Sequence, residues 1–192
     1  EARQSGDQVL FRFGFEMNGD WFSWGCQPEN FIAAWRHVHC IFSNEGATIL
    51  FWVWAPNAVP GPNTPENGME KYWPGDQYVD VIGLDGYNFG DHHSQWHSWV
   101  SCRDVFTAAL DKIQESGVPH PVLITEFGCA DDEDADRRAR WIEEAHDFLN
   151  SRSDVIGAIW FNLDKRREGE PNWRIDADEK SLATWRRTFA AP

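Results

Sequence analysis

Short runs of β-branched and aromatic residues alternate along this chain with longer stretches of helical periodicity, the pattern that βα units of a parallel sheet require. The runs predict strands over Val9 to Glu16, Thr48 to Trp54, Val79 to Asp85, Pro121 to Glu126 and Val155 to Trp160. Helices are expected over Glu29 to Asn44, Trp96 to Ser116, Glu133 to Ser151 and Lys180 to Phe189, with at most a short helical turn in the Gly/Pro/Asn-rich loop from Ala55 to Gly75. That is an α/β chain of five units, and its 192 residues suit one domain. No Ser/Pro linker marks an internal boundary.

In sheets of this kind the loops at the carboxyl ends of the strands carry the active site. Two hydrophobic runs end there in a glutamate followed by a nearby glycine: Glu16 with Gly19, and Glu126 with Gly128. A carboxylate where a buried strand meets its loop is poor core material, and a pair of them suits acid/base and nucleophilic work on a glycosidic bond. Other polar and aromatic groups gather at the same ends: Trp54 and Asn57 after the second strand, Asp85, Tyr87 and Asn88 after the third, Trp160 and Asn162 after the fifth. Alternation on the first strand puts Arg12, Gly14 and Glu16 on one face and Phe11, Phe13 and Phe15 on the other. Arg12 is then placed to help keep a carboxylate ionised, or to form a structural ion pair.

Charge excludes some partners. With 17 Lys and Arg against 31 Asp and Glu, the formal charge of −14 disfavours nucleic acid and anionic membrane, which need clustered cations. No apolar run reaches the roughly 18 residues of a membrane span, and Glu1-Ala2-Arg3-Gln4 does not open a signal peptide. Cys26, Cys40, Cys102 and Cys129 form no CxxC or compact metal spacing, and their pairing is not legible. The chain holds 12 tryptophans, whose flat faces suit stacking on sugars as well as core packing. Trp24 and Trp73 fall on loops and are candidates to extend a cleft; Trp35, Trp99, Trp141 and Trp185 fall in predicted helices and read as packing. Asp91-His92-His93 with His97 offers an i, i+4 histidine pair but reads as a solvated loop, and the run Asp131 to Asp136 reads as an acidic helix start, since Arg137 stands where a calcium loop needs glycine. No metal and no cofactor is indicated.

The segment Phe11 to Gly25, FRFGFEMNGDWFSWG, resembles the acid/base region of glycoside hydrolase family 26, the β-mannanases and their relatives. Tyr72 to Asn88 (YWPGDQYVDVIGLDGYN), Val122 to Gly128 (VLITEFG) and the tail Asn172 to Asp176 are similar to later segments of that family in the same order. The resemblance implies a (β/α)8 barrel and retaining hydrolysis of a β-linked polysaccharide, β-1,4-mannan first, with mixed-linkage β-glucan and β-1,3-xylan as sister substrates. It implies Glu126 as nucleophile and Glu16 as general acid/base, the carboxyls about 5–5.5 Å apart, with a raised pKa on Glu16 and an ionised Glu126. Tyr87 corresponds to the tyrosine that hydrogen-bonds the nucleophile, Trp160 to the aromatic floor at the cleavage point and Trp21 to a sugar-contacting aromatic. Arg12, Asn18, Trp54, Asn57 and Asn162 complete the candidate substrate-binding set. An extracellular location is a family-level expectation.

Two departures stand out. Phe15 occupies the position where most members carry a histidine that contacts the sugar, so sugar preference is open. Eight βα units need about 250 residues, and the chain starts at what matches the fourth strand, so the first three units are expected to be absent and the terminal strands to expose apolar edges. A fragment of a longer polypeptide is the leading expectation; pairing with another copy or a separate chain, and an open, reduced enzyme, are the alternatives. A non-catalytic glycan-binding homologue is the alternative in another class.

Overall fold

The computed structural model describes residues 7–92 and 98–189. Five strands form one sheet in the order β1-β2-β3-β4-β5: β1 is Val9–Phe11, β2 Leu50–Trp54, β3 Val81–Asn88, β4 Val122–Cys129 and β5 Val155–Trp160. The first two pairings are parallel, with Val9 beside Leu50 and Phe11 beside Trp52, then Val53 beside Val81. Four α-helices accompany them: α1 Pro28–Asn44, α2 Cys102–Ser116, α3 Ala135–Ser151 and α4 Glu179–Thr188. The α/β alternation read from the sequence is therefore the observed one.

Local chemistry explains the helix boundaries. Pro28, at home in a first turn where its missing N–H costs nothing, opens α1, and Phe31 and Trp35 one turn apart supply its buried stripe. Asp134 caps α3 by accepting the Asp136 N–H at 2.9 Å, and Asp178 caps α4 by accepting that of Ser181 at 2.7 Å. The helix predicted from Trp96 begins only at Cys102, where Ser101 Oγ accepts the Asp104 N–H at 3.0 Å; Trp99 therefore lies outside it, and Trp96 lies outside the described residues. The Ala55 to Gly75 loop holds two short 3-10 turns, Pro65–Asn67 and Met69–Tyr72, and a third follows at Asp76–Tyr78.

Strand ends differ from expectation in both directions. The first strand stops at Phe11 rather than reaching Glu16, because Gly14 and Glu16 take left-handed backbone angles, φ 56° and 53°, that no strand accommodates. The strict alternation of Arg12 to Glu16 between two faces is lost with it. The third and fourth strands instead run past Asp85 and Glu126, through Gly86 and Gly128. Those glycines permit close packing: a Cβ on Gly86 would lie 2.6 Å from Val105 Cγ1, and one on Gly128 3.2 Å from the Trp173 ring.

The described residues group into two compact units, one of them running through Asp85 and including Ile113–Leu123, the other comprising Gly86–Lys112 and the residues from Ile124 onward. In the first, Val53, Ala55, Val81 and Leu123 form a buried cluster against which Phe15 packs, and the Trp35 indole donates to Tyr78 O at 3.0 Å. In the second, Phe127 sits among Trp141, Trp160, Trp185 and Phe189, and the Trp141 indole donates to Val100 O at 2.8 Å. Trp35 and Trp141 are core, as their helical positions predict.

All four cysteines are free, Cys26 and Cys40 exposed, Cys102 and Cys129 buried. Burial pushes the Cys102 thiol up to about 12 and raises that of Cys129 as well. A thiol-reactive chromophore at pH 8 is expected to titrate two groups per native chain and all four in denaturant; four fast thiols would show that α2 and the end of β4 open readily.

Candidate active site

Glu16 lies in the turn after β1, 7 % exposed, anchored by its own N–H to Ala55 O at 2.7 Å and by the Gly19 N–H to its carbonyl at 2.9 Å. Its carboxylate is held at both oxygens: Asn57 Nδ2 donates to Oε1 at 2.9 Å and Trp21 Nε1 to Oε2 at 2.7 Å. Asn57 is fixed in turn by Asn18, whose side chain donates to Asn57 O and accepts from Asn57 N, both at 2.8 Å. Asn67 Nδ2 closes the network on Asn18 O at 2.9 Å. Four residues of the predicted set, Glu16, Asn18, Trp21 and Asn57, thus meet in one cluster of the first unit.

Arg12 Nη2 donates to the fully buried Asp85 carboxylate at 2.5 Å, and its guanidinium lies 4.8 Å from the Phe15 ring centre. The ion pair with Asp85 is one of the two readings of Arg12. Phe15 meets Phe22 and Trp24 edge-on, while those two stack at 4.4 Å with planes 9° apart. The histidine-to-phenylalanine departure thereby joins a small aromatic cluster.

In the second unit Tyr87 Oη donates to Glu126 Oε2, and the Tyr87 ring is packed against Phe161 and Trp173 at 5.6 and 5.0 Å. Glu126 is the half-buried position in an otherwise buried strand. Asn162 Oδ1 accepts from Ile175 N at 2.8 Å and so pins the loop after β5. Two tryptophans depart from expectation. Trp54 is 2 % exposed with its indole N–H given to Tyr72 O, and Trp160 is 8 % exposed with its own given to Trp173 O. Both are core residues here, because an indole spends its single donor on whichever carbonyl burial offers.

Among the described residues no group of three or more His, Cys, Asp or Glu is placed to hold a metal ion, and no helix is long and apolar enough to cross a membrane. His93 and His97 lie outside the described residues; His92 Nε2 is 2.9 Å from Gly169 O. The acidic run is spent on capping and pairing: Asp132 accepts from Asp134 N at 2.7 Å, and Arg137 bridges Asp91 and Asp132 at 2.9 and 3.2 Å.

The family model for Glycosyl hydrolase family 26 matches residues 2–151. The chain belongs to this family. Endoglucanase H of Acetivibrio thermocellus is 35 % identical over 201 residues, covering 100 % of this chain and 21 % of its own length. Mannan endo-1,4-beta-mannosidase A and B of Caldalkalibacillus mannanilyticus is 34 % identical over 102 residues, 48 % of this chain and 19 % of that protein. Among solved structures, the GH26 β-mannanase BoMan26A from Bacteroides ovatus superposes with TM-score 0.65 at 22 % identity over 95 % of this chain and 50 % of its own. The Bacillus subtilis mannanase BCman gives 0.62 at 21 %, over 97 % and 49 %. The family 26 chain therefore spans about half of these solved chains and about a fifth of these curated relatives. Its fold class is that of the (β/α)8 barrel, of which the described residues form five strands.

Sequence reasoning missed two supports of the candidate residues, one in each unit. Asn67 steadies Asn18 from 49 positions away, and Trp173 backs Tyr87 while lying only 1 % exposed. Trp173 had one signal, its place in the tail segment after β5; Asn67 had none, since its partner is distant in sequence.

Proposed function

We propose that the chain carries the two catalytic carboxylates of a retaining, endo-acting hydrolase of a β-linked polysaccharide. Glu126 attacks the anomeric carbon as the glycosidic C–O bond breaks, and Glu16 gives its proton to the departing oxygen. Water then attacks the same carbon, the bond to Glu126 breaks, and Glu16 takes the water proton. The observation that carries the reading is the Tyr87 hydroxyl on Glu126: a donor whose ring is packed against Phe89, Phe161 and Trp173 orients one carboxylate oxygen.

β-1,4-Mannan is the proposed backbone, as the mannosidase relatives suggest. A β-glucan is the second reading, favoured by the likeness to Endoglucanase H along the whole chain and by Phe15, which cannot make a histidine's hydrogen bond to a sugar hydroxyl. Acting on polymers too large to cross a membrane, the protein would work outside the cell. Reducing-end release from galactomannan, glucomannan, mixed-linkage glucan and β-1,3-xylan decides between them. Cleavage of galactomannan supports the first reading, cleavage of mixed-linkage glucan alone the second, and binding without cleavage by folded protein supports a non-catalytic glycan binder.

A further inference from the structure

The donors on Glu16 run against its proposed task. N–H groups on both carboxylate oxygens stabilise the ionised form, whereas the first chemical step needs a proton there. The two donors are not equally held. Asn57 is clasped by Asn18 through its backbone N–H and carbonyl. Trp21 is 48 % exposed, its ring resting on glycines: a Cβ on Gly19 would come within 2.2 Å of Trp21 Cζ2, and one on Gly61 within 2.7 Å of Cζ3. One side of the indole is seated on bare backbone and much of the rest is open to solvent, so it can leave without dismantling a core.

We propose that Trp21 is a positioning residue acting through Glu16: its indole N–H holds the carboxylate ionised and oriented in the resting protein, and its release raises the carboxylate's affinity for the proton that the leaving oxygen receives. The inference rests on Glu16 as acid/base and deepens that reading. It also gives one group a means to serve in turn as acid and as base, since the indole can return once the proton is spent. Charged groups on the surrounding segments are Asp20 in the same loop, Arg12, and Asp85 of β3 with which Arg12 is paired.

The test is carboxyl titration by NMR of glutamate-labelled, substrate-free protein, with Glu16→Gln assigning the resonance. Trp21→Phe keeps a ring and removes the N–H. The Glu16 midpoint is expected to rise by about one pH unit, tenfold in proton affinity, and the basic limb of kcat/KM to move with it. Gly61→Ala, which pushes the ring without deleting it, is expected to shift the midpoint in the same direction by less. An unchanged midpoint in folded Trp21→Phe overturns the proposal and leaves Trp21 as a packing or stacking residue. A raised midpoint in a protein that cleaves no polymer would sink the acid/base reading instead, while the hold of Trp21 on Glu16 would stand.

Discussion

Alanine in place of Glu126 is expected to lower glycan cleavage by roughly 10⁴-fold or more, because in the proposed double displacement its carboxylate forms the covalent intermediate. Glu16→Ala should cost about 10²–10⁴-fold on a polysaccharide, whose poor leaving group needs the proton, and far less on an aryl glycoside with an acidic phenol, which does not. Added azide separates the roles. Without Glu126, azide fills the space of the nucleophile and yields a glycosyl azide of inverted configuration; without Glu16, azide intercepts the glycosyl-enzyme and yields the retained product. Identical products from both variants would overturn the assignment.

Arg138→Ala is expected to destabilise the chain by about 3 kcal/mol in urea unfolding, far more than a typical helix-surface change. Arg138 is fully buried in α3, where its guanidinium donates to Cys129 O at 3.1 Å, Arg174 O at 2.9 Å and Asp178 at 3.3 Å. Its removal strands two carbonyls and a carboxylate and leaves a cavity beside Trp160, over whose ring the guanidinium lies at 5.8 Å. Arg138→Lys should not restore stability, since one ammonium cannot span three acceptors as the planar fork does. A loss below about 1 kcal/mol would mean that water replaces those bonds freely.

Hydrophobic periodicity carried the element types, because burial on one face or two is a local property of the sequence. It failed where a residue's role depends on something distant. The third and fourth strands were expected to end at Asp85 and Glu126, yet Gly86 and Gly128 are close-approach positions inside them, since their neighbours, Val105 and Trp173, arrive from elsewhere in the chain. Glu16 read as the end of a strand and is a left-handed turn residue, held by Ala55 and Asn57 some 40 positions away. The cluster of Glu16, Asn18, Trp21 and Asn57 was legible as a set of candidates because three of the four share one motif. Trp54 and Trp160 were misread because an indole has the same chemistry in a cleft as in a core; its hydrogen-bond partner decides, and Tyr72 O and Trp173 O were not visible in the sequence.

The left-handed backbone at Glu16, φ 53°, sets the residue's chemistry against its conformation. Glycine or asparagine would occupy those angles at about 1 kcal/mol less strain than glutamate. Selection of this chain for heat resistance alone therefore puts position 16 under pressure to change, and a stabilised variant recovered that way should be sequenced there before its activity is measured.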